Sequence, residues 1–263
     1  MQSLCITDVH CHVLPGLDDG AVNEDESIEL LRQAYALGIK SVIATPHYSR
    51  RSEGSERADR IKALAGQLEA RARVEIDDGF RVYPGEEIVY HDELISKLNS
   101  GEALTLAGSR YVLIEFMTDT PLSEIYRQLR RLTESGYRPV IAHIERYDAI
   151  MSGSYDETAE RIEEITGRGS FVQMGYDSID DPDKTGFSRL IGSSALNPVV
   201  RKSRRLIKEG YVHLLATDMH RLDFRPPQID GALRWMNTNL KPEETERMVF
   251  LNPERIIGNK ELK

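Results

Sequence analysis

The 263-residue chain predicts an α/β fold, a distorted seven-stranded (β/α) barrel of the TIM-like kind, and three observations carry that expectation. Short β-rich runs alternate with longer amphipathic stretches, the rhythm of repeated βα units that build a parallel sheet. Gly38, Gly136 and Gly210 stand just after three of the predicted helices, where a left-handed C-cap favours glycine. Histidines and carboxylates recur at successive strand ends, from His10-Cys11-His12 to Asp218-Met219-His220. Such residues converge in space only if the strands share one parallel sheet, whose C-terminal ends line one mouth.

Seven strands are expected, over 4–9, 41–45, 80–83, 111–115, 139–142, 171–174 and 212–216. Each is short, apolar and rich in β-branched or aromatic residues. Between them, 24–37, 57–72, 122–134, 157–166 and 199–209 carry apolar residues near helical spacing. The segment 14–20 (Leu-Pro-Gly-Leu-Asp-Asp-Gly) is a turn-rich loop leading to a helix near Asn23. The longest stretch without an assigned element, 175–197, reads as a surface excursion with a short helix and is a candidate lid. The tail from Pro226 predicts two helices, the second opened by Pro242. With no internal repeat and no linker-like segment, one domain over 1–263 is expected.

Composition narrows the function. With 40% hydrophobic and 29% charged residues, the chain has the balance of a globular protein. No apolar run approaches the roughly 20 residues that span a bilayer, so no membrane insertion is expected. The start of the chain has neither a basic region nor an apolar core of the signal-peptide kind, which makes the cytoplasm the expected location. A formal charge of −9 argues against nucleic acid as a partner. Cys5 and Cys11 lie too close along one extended segment to bridge, so reduced thiols are expected. The sequence leaves the oligomeric state open.

The ligand types are distributed strand by strand. His10 and His12 follow the first strand, His47 the second and Glu86-Glu87 the third; Glu115 ends the fourth, His143 follows the fifth, and Asp218 with His220 follows the seventh. Only the sixth strand lacks an obvious ligand. A His-x-His pair puts two imidazoles on one face of an extended segment, and clustered buried acids repel one another unless cations or arginines neutralise them. Mixed nitrogen and oxygen ligation suits Mn, Fe or Zn rather than a thiolate zinc site. Cys11, between the two histidines, points to the opposite side and reads as a small core residue. A cysteine nucleophile in a phosphate loop needs an arginine six positions downstream; Leu17 stands there after Cys11 and Cys11 after Cys5, so that mechanism has no support.

Arg146 and Arg225 stand just beyond ligand candidates on the expected active face, where a guanidinium fork matches phosphate oxygens; Arg221 is a weaker third. The basic run 201–205 reads as a solvated helix face. His91, at a helix start, and His213, within the seventh strand, fall off the pattern.

Five segments, Asp8 to Ala21, Ala44 to Tyr48, Leu113 to Glu115, Ala142 to Tyr147 and Thr217 to His220, followed by Arg225-Pro226-Pro227, resemble the polymerase and histidinol phosphatase (PHP) superfamily. Within it they are similar to the bacterial metal-dependent protein tyrosine phosphatases of capsule and exopolysaccharide operons. The resemblance implies a three-metal cluster, usually supported by Mn. Carried over residue by residue, His10, His12, Glu87 and Asp218 would hold one metal, and Glu87 would bridge to a second held by Glu115 and His143. Asp19, His47 and His220 would hold the third, with Asp19 where many superfamily members have histidine. Glu87 rather than Glu86 is the ligand because it directly precedes Ile88, as in the family motif.

The same resemblance implies hydrolysis of phosphotyrosine by metal-activated hydroxide, with Arg146 and Arg225 on the phosphoryl oxygens and His220 or Asp19 as candidate proton donor. The implied substrate is the tyrosine-rich tail of a bacterial tyrosine kinase that controls polysaccharide export. A phosphatase for a small ester such as histidinol phosphate, a nuclease of the same superfamily, and a non-catalytic regulator stabilised by its metals are the competing readings.

Overall fold

The computed structural model describes residues 5–48, 54–180 and 197–262. In chain order the strands are β1 (Ile6–Cys11), β2 (Ile39–Ala44), β3 (His47–Tyr48), β4 (Arg81–Pro84), β5 (Glu87–Val89), β6 (Tyr111–Glu115), β7 (Arg138–Ile141), β8 (Phe171–Gly175) and β9 (Leu214–Ala216). The helices are α1 (Glu24–Ala36), α2 (Gly54–Glu75), α3 (Leu94–Ser100), α4 (Leu122–Glu134), α5 (Asp148–Met151), α6 (Tyr155–Gly167), α7 (Pro198–Lys208), α8 (Asp230–Asn239), α9 (Pro242–Glu246) and α10 (Asn252–Ile257). Every strand pair among the described residues is parallel, in the orders β1-β2-β4 and β3-β5-β6-β7-β8-β9.

The sheet is curled and open, a half-barrel. Just beyond β9, Met219 forms an isolated parallel bridge with Cys11 at the end of β1. Around that bridge Asp218 N donates to His10 O at 2.9 Å and His12 N to Met219 O at 2.8 Å. Deeper in the same seam, the buried Asp8 carboxylate accepts from Thr217 N at 3.1 Å and from Thr217 Oγ1 at 2.5 Å. Desolvation pushes Asp8 up to about 6 even so.

Side chains alternate across the strands, as a two-sided sheet requires. Val9, Ile43, Leu113, Val140, Leu214 and Ala216 fill the concave interior, which Ile256 of α10 also enters. Val42, Ile114, Ile141, Val172 and Leu215 face outward against the helices. Pairing of β1 with β2 is irregular between Asp8 and Cys11, which breaks the alternation. Cys11 is thereby buried in the outer core while His10 and His12 turn to the mouth. Both cysteines are free.

Seven expected strands match seven observed ones, with two additions. The expected second and third strands are each followed by a short partner, β3 after Pro46 and β5 after Gly85-Glu86. A Cβ at Gly85 would lie 3.0 Å from Ile43 Cγ2, a tight approach to β2 that a larger residue could take only if Ile43 gave way. β1 extends to Cys11, so His10 lies within the strand rather than after it. His213 lies outside the last strand, which begins at Leu214; its N donates to Val172 O at 3.1 Å as the chain enters the sheet. His91 stands three residues ahead of helix α3, close to the helix start expected there, and stacks on Tyr48 at 5.5 Å.

Helix α4 has the expected limits, and Gly38, Gly136 and Gly210 take positive φ as C-caps do. The tail forms α8 and then α9 and α10 joined by a π turn over Arg247–Leu251 ahead of Pro253. Of the candidate lid, Tyr176–Ser178 forms a 3₁₀ turn and residues 181–196 lie outside the described residues. Among the described residues no helix is long and apolar enough to cross a membrane.

Candidate metal centre

Glu87 is the hub of the mouth. Parallel pairing of β3 with β5 sets His47 directly beside it in the ladder. Its Oε2 lies 3.2 Å from His10 Nε2, 3.3 Å from His12 Nε2 and 3.1 Å from His47 Nδ1. Its Oε1 lies 2.8 Å from His143 Nε2. Burial alone would raise the Glu87 carboxyl, but the charge and hydrogen bonds of these imidazoles outweigh it and hold it well below the usual range. Glu86 turns the other way, to Arg57 Nε at 3.2 Å and Leu104 N at 2.8 Å, and desolvation pushes it up to about 7.

Asp218 is the second hub, held at φ 52 in the left-handed region. Its Oδ1 is 3.3 Å from both His10 Nε2 and His12 Nε2. Its Oδ2 accepts from Arg146 Nη2 at 2.6 Å and Arg225 Nη1 at 2.7 Å. His143, at φ 32, and Arg225, at φ 57, are left-handed too. Such conformations cost a non-glycine residue about 1–3 kcal/mol and collect at functional sites.

Partners on the far side of each ring fix the tautomers. His12 Nδ1 is 2.7 Å from Asp18 Oδ2, and a carboxylate can only accept there, so Nδ1 keeps its proton and Nε2 is the nitrogen left to bind a metal. Burial would raise Asp18, but the hydrogen bond and charge of His12 prevail and lower it. Gln173 Oε1 takes the His143 backbone N–H at 2.8 Å, which identifies it as the carbonyl end. The His10 Nδ1 at 3.2 Å is therefore a donor. His220 Nδ1 donates to the Asp218 carbonyl at 2.8 Å.

Four acceptor atoms thus converge: Nε2 of His10, Nε2 of His12, an oxygen of Glu87 and an oxygen of Asp218, all within 4.8 Å of one another and all buried. The two Nε2 atoms lie 3.3 Å apart. Two lone pairs and two carboxylates facing each other out of water repel unless a cation stands among them. In the protein without metal, protons on the His10 and His12 imidazoles do so. Burial would lower His10, but Glu87 and Asp218 raise it to about 9.

Two further groups of the same kind adjoin. His12, Asp19, His47 and His220 form one, and His47, Glu87 and Glu115 the other. Asp19 stands at the rim with its side chain 62% exposed, and its Oδ1 is 3.7 Å from both His47 Nε2 and His220 Nε2. His143 Nε2 approaches Glu115 Oε1 at 3.5 Å. All nine ligand candidates therefore meet in one mouth, and His12 and His47 stand between sets to which the carry-over assigned them singly.

The donor set fits several divalent cations bound by nitrogen and oxygen. A family model described as capsular polysaccharide synthesis, CpsB/CapC, matches residues 6–258. This chain belongs to the CpsB/CapC family. The tyrosine-protein phosphatase CpsB of Streptococcus pneumoniae is 30% identical over 251 residues, 95% of this chain and 97% of that protein. The tyrosine-protein phosphatase YwqE of Bacillus subtilis is 30% identical over 252 residues, 96% of this chain and 91% of that protein. A crystal structure from the pair YwqE of Bacillus subtilis and CpsB of Streptococcus pneumoniae, described as unique metal-dependent tyrosine phosphatases, superposes with a TM-score of 0.80 at 28% identity. It covers 98% of this chain and 96% of its own. The fold alone is shared with a phosphotriesterase homology protein of Escherichia coli, at TM-score 0.56 and 10% identity.

In this CpsB/CapC chain the residues that sequence reasoning missed are those behind the ligands. Asp18 bonds His12 Nδ1, His47 N at 2.8 Å and Gly20 N at 2.9 Å. Nothing in the doublet Asp18-Asp19 tells the inward carboxylate from the outward one. At Gly20 a Cβ would meet His12 O at 2.0 Å, so the loop returns against β1 only with glycine there. Gln173 fills the place of the missing ligand on the sixth expected strand; its signal was an amide amid Phe171, Val172 and Met174. Tyr147 OH lies 3.3 Å from His143 Nδ1 and accepts from Phe116 N at 3.2 Å.

Proposed function

We infer that the protein is a metal-dependent tyrosine-protein phosphatase linked to capsule or exopolysaccharide regulation. The observation that carries this reading is the buried convergence of lone pairs from His10, His12, Glu87 and Asp218, one carboxylate oxygen of which is shared with two arginines. Hydrolysis of a phosphate ester needs both a cation site and donors for the phosphoryl oxygens, and Asp218 links the two.

His10, His12, Glu87 and Asp218 hold the innermost metal in this proposal, with Glu87 shared with a second site completed by Glu115 and His143. Asp19, His47 and His220 hold a third. Mn is the proposed metal, and Fe or Zn suits the same ligands. Divalent cations, when bound, supply Lewis acidity that neutralises phosphoryl oxygens and lowers the pKa of water to near neutrality. Arg146 and Arg225 each give one nitrogen to Asp218 and keep further N–H donors for the phosphate. Their attachment to a shared carboxylate sets their distance from the ligands before any substrate arrives.

His220 suits the ligand role better than the acid role. Its Nδ1 proton is engaged by the Asp218 carbonyl, and burial together with the neighbouring His12 lowers its pKa, leaving Nε2 as a lone pair. Asp19 is a ligand of the same metal, so neither candidate is free to protonate the leaving group while the metals are held. A phenolate, with a reference pKa of about 10, needs less of that help than an alkoxide does. The proposed substrate is the phosphorylated, tyrosine-rich tail of a bacterial tyrosine kinase governing polysaccharide export, met in the cytoplasm; the resemblance to the capsule-operon phosphatases supports it.

The test is turnover of a phosphotyrosine peptide, histidinol phosphate and single-stranded DNA by the Mn-loaded protein. The peptide is expected to be preferred. Preference for histidinol phosphate or for DNA would reassign the substrate, and inertness on every ester would favour a metal-stabilised regulator.

A further inference from the structure

Among the described residues every tyrosine and tryptophan is at least partly buried, and so is every phenylalanine except Phe224, which is 56% exposed. A single exposed apolar side chain is ordinary on a protein surface; this ring is set apart by its place at the metal centre. It meets the His220 ring edge-on at 6.2 Å, and the Arg225 guanidinium lies 5.5 Å from its centroid. Both neighbours belong to the site, His220 as a ligand candidate and Arg225 through Asp218.

The turn that presents the ring is pinned by hydrogen bonds at both ends. His220 N donates to Arg225 O at 2.9 Å and Arg221 N to Phe224 O at 2.9 Å, closing the chain on itself. Glu26, in the first turn of α1, anchors it from outside by accepting from Leu222 N at 3.2 Å while its other oxygen accepts from Val22 N at 2.8 Å. The left-handed Arg225 completes the turn at φ 57. A merely apolar residue needs no such scaffold, whereas a recognition ring gains from being held before its partner binds.

We propose that Phe224 is a specificity-determining residue, the wall against which the phenyl ring of a phosphotyrosine packs while its phosphoryl group reaches Arg225 and the metal ligands. This rests on the phosphatase reading and adds to it the basis for choosing an aryl ester. An aliphatic phosphate has no ring to place there, so the contact separates tyrosine from serine or small-metabolite esters by shape and polarisability.

The test measures binding rather than turnover: dissociation constants of phenylphosphonate and of inorganic phosphate for the Mn-loaded protein, by calorimetry, in the wild type, Phe224→Ala and Phe224→Tyr. The wild type is expected to prefer phenylphosphonate; Phe224→Ala lowers that preference by about tenfold and Phe224→Tyr restores most of it. An unchanged preference in Phe224→Ala would overturn the proposal. Equal weakening of both ligands would overturn it too, showing the ring to be a prop for Arg225. A wild-type protein that binds both ligands equally overturns only the role of Phe224, whereas one that binds neither overturns the phosphatase reading with it.

Discussion

The floor and the rim of the mouth are built from the same residue types under opposite constraints. On the floor, His10, His12, Glu87 and Asp218 are buried, and each imidazole is braced from behind, His10 by Gln173 and His12 by Asp18. At the rim, Asp19 is open to solvent and 3.7 Å from its nearest imidazoles. Glu115, which desolvation and the Glu87 charge raise, is 3.9 Å from His47. A braced ligand is ready for its metal, whereas a solvated one must be gathered by it. In the proposed centre the floor would therefore bind its metal most tightly, and the rim would hold the loosest one.

Glu87→Gln breaks the comparison most severely, because it removes the charge on which four imidazoles converge. Phosphotyrosine turnover should fall by more than about 1,000-fold, with loss of bound metal, since the chemistry is the metal's. Metal analysis beside the assay checks it; a variant with full metal and full turnover would detach Glu87 from the site. Arg225→Ala should lower kcat by about 100-fold, the scale of one lost oxyanion donor, while metal content is retained.

The contrast itself is sharpened by a pair of smaller changes. Gln173→Leu unbraces the floor and should weaken the tightest metal by about tenfold, whereas Asp19→Asn should weaken only the loosest. Equilibrium dialysis resolves the two, and equal effects on all metals would erase the distinction between floor and rim.

How much of this was legible in the sequence follows the same line. The first row of ligands announced itself, because histidine and carboxylate after an apolar run are rare enough to be noticed, and the Glu86-Glu87 choice came from the motif. The bracing row was silent. Asp18 and Asp19 are the same residue in the same turn, and only the return of the loop at Gly20 decides which faces His12. The strands β3 and β5 are two and three residues long, too short to show any period. Helix α4 was legible to the residue because Pro121 opens it and Gly136 follows its end. The left-handed backbones of His143 and Asp218 leave no mark on composition.

The smallest expected effect concerns pH. The folded value of His10, about 9, lies above its ordinary 6.5. Its contribution in the metal-free protein is therefore full below about pH 6.5 and is lost as pH rises through about 9. Glu87 and Asp218 are depressed, so their contributions are full above their ordinary 4.5 and 3.8 and are lost as pH falls through the lower folded values. The Tm of the metal-free protein should thus fall between about pH 6.5 and 10, and loading Mn near pH 7.5 should release protons as the cation replaces those on His10 and His12. Melting curves and a weakly buffered calorimetric titration check both; a Tm that rises over that range would contradict the assignment.

The central claim is that the cluster is a metal centre for phosphotyrosine hydrolysis, and one titration tests it most directly. Metal-free protein is supplied with Mn in steps while bound metal and turnover of a phosphotyrosine peptide are read together. Turnover should be absent at the start and rise with occupancy to a plateau at about three metals per chain, the number of ligand groups in the mouth. Full turnover before any metal is added, or full occupancy without turnover, would contradict it.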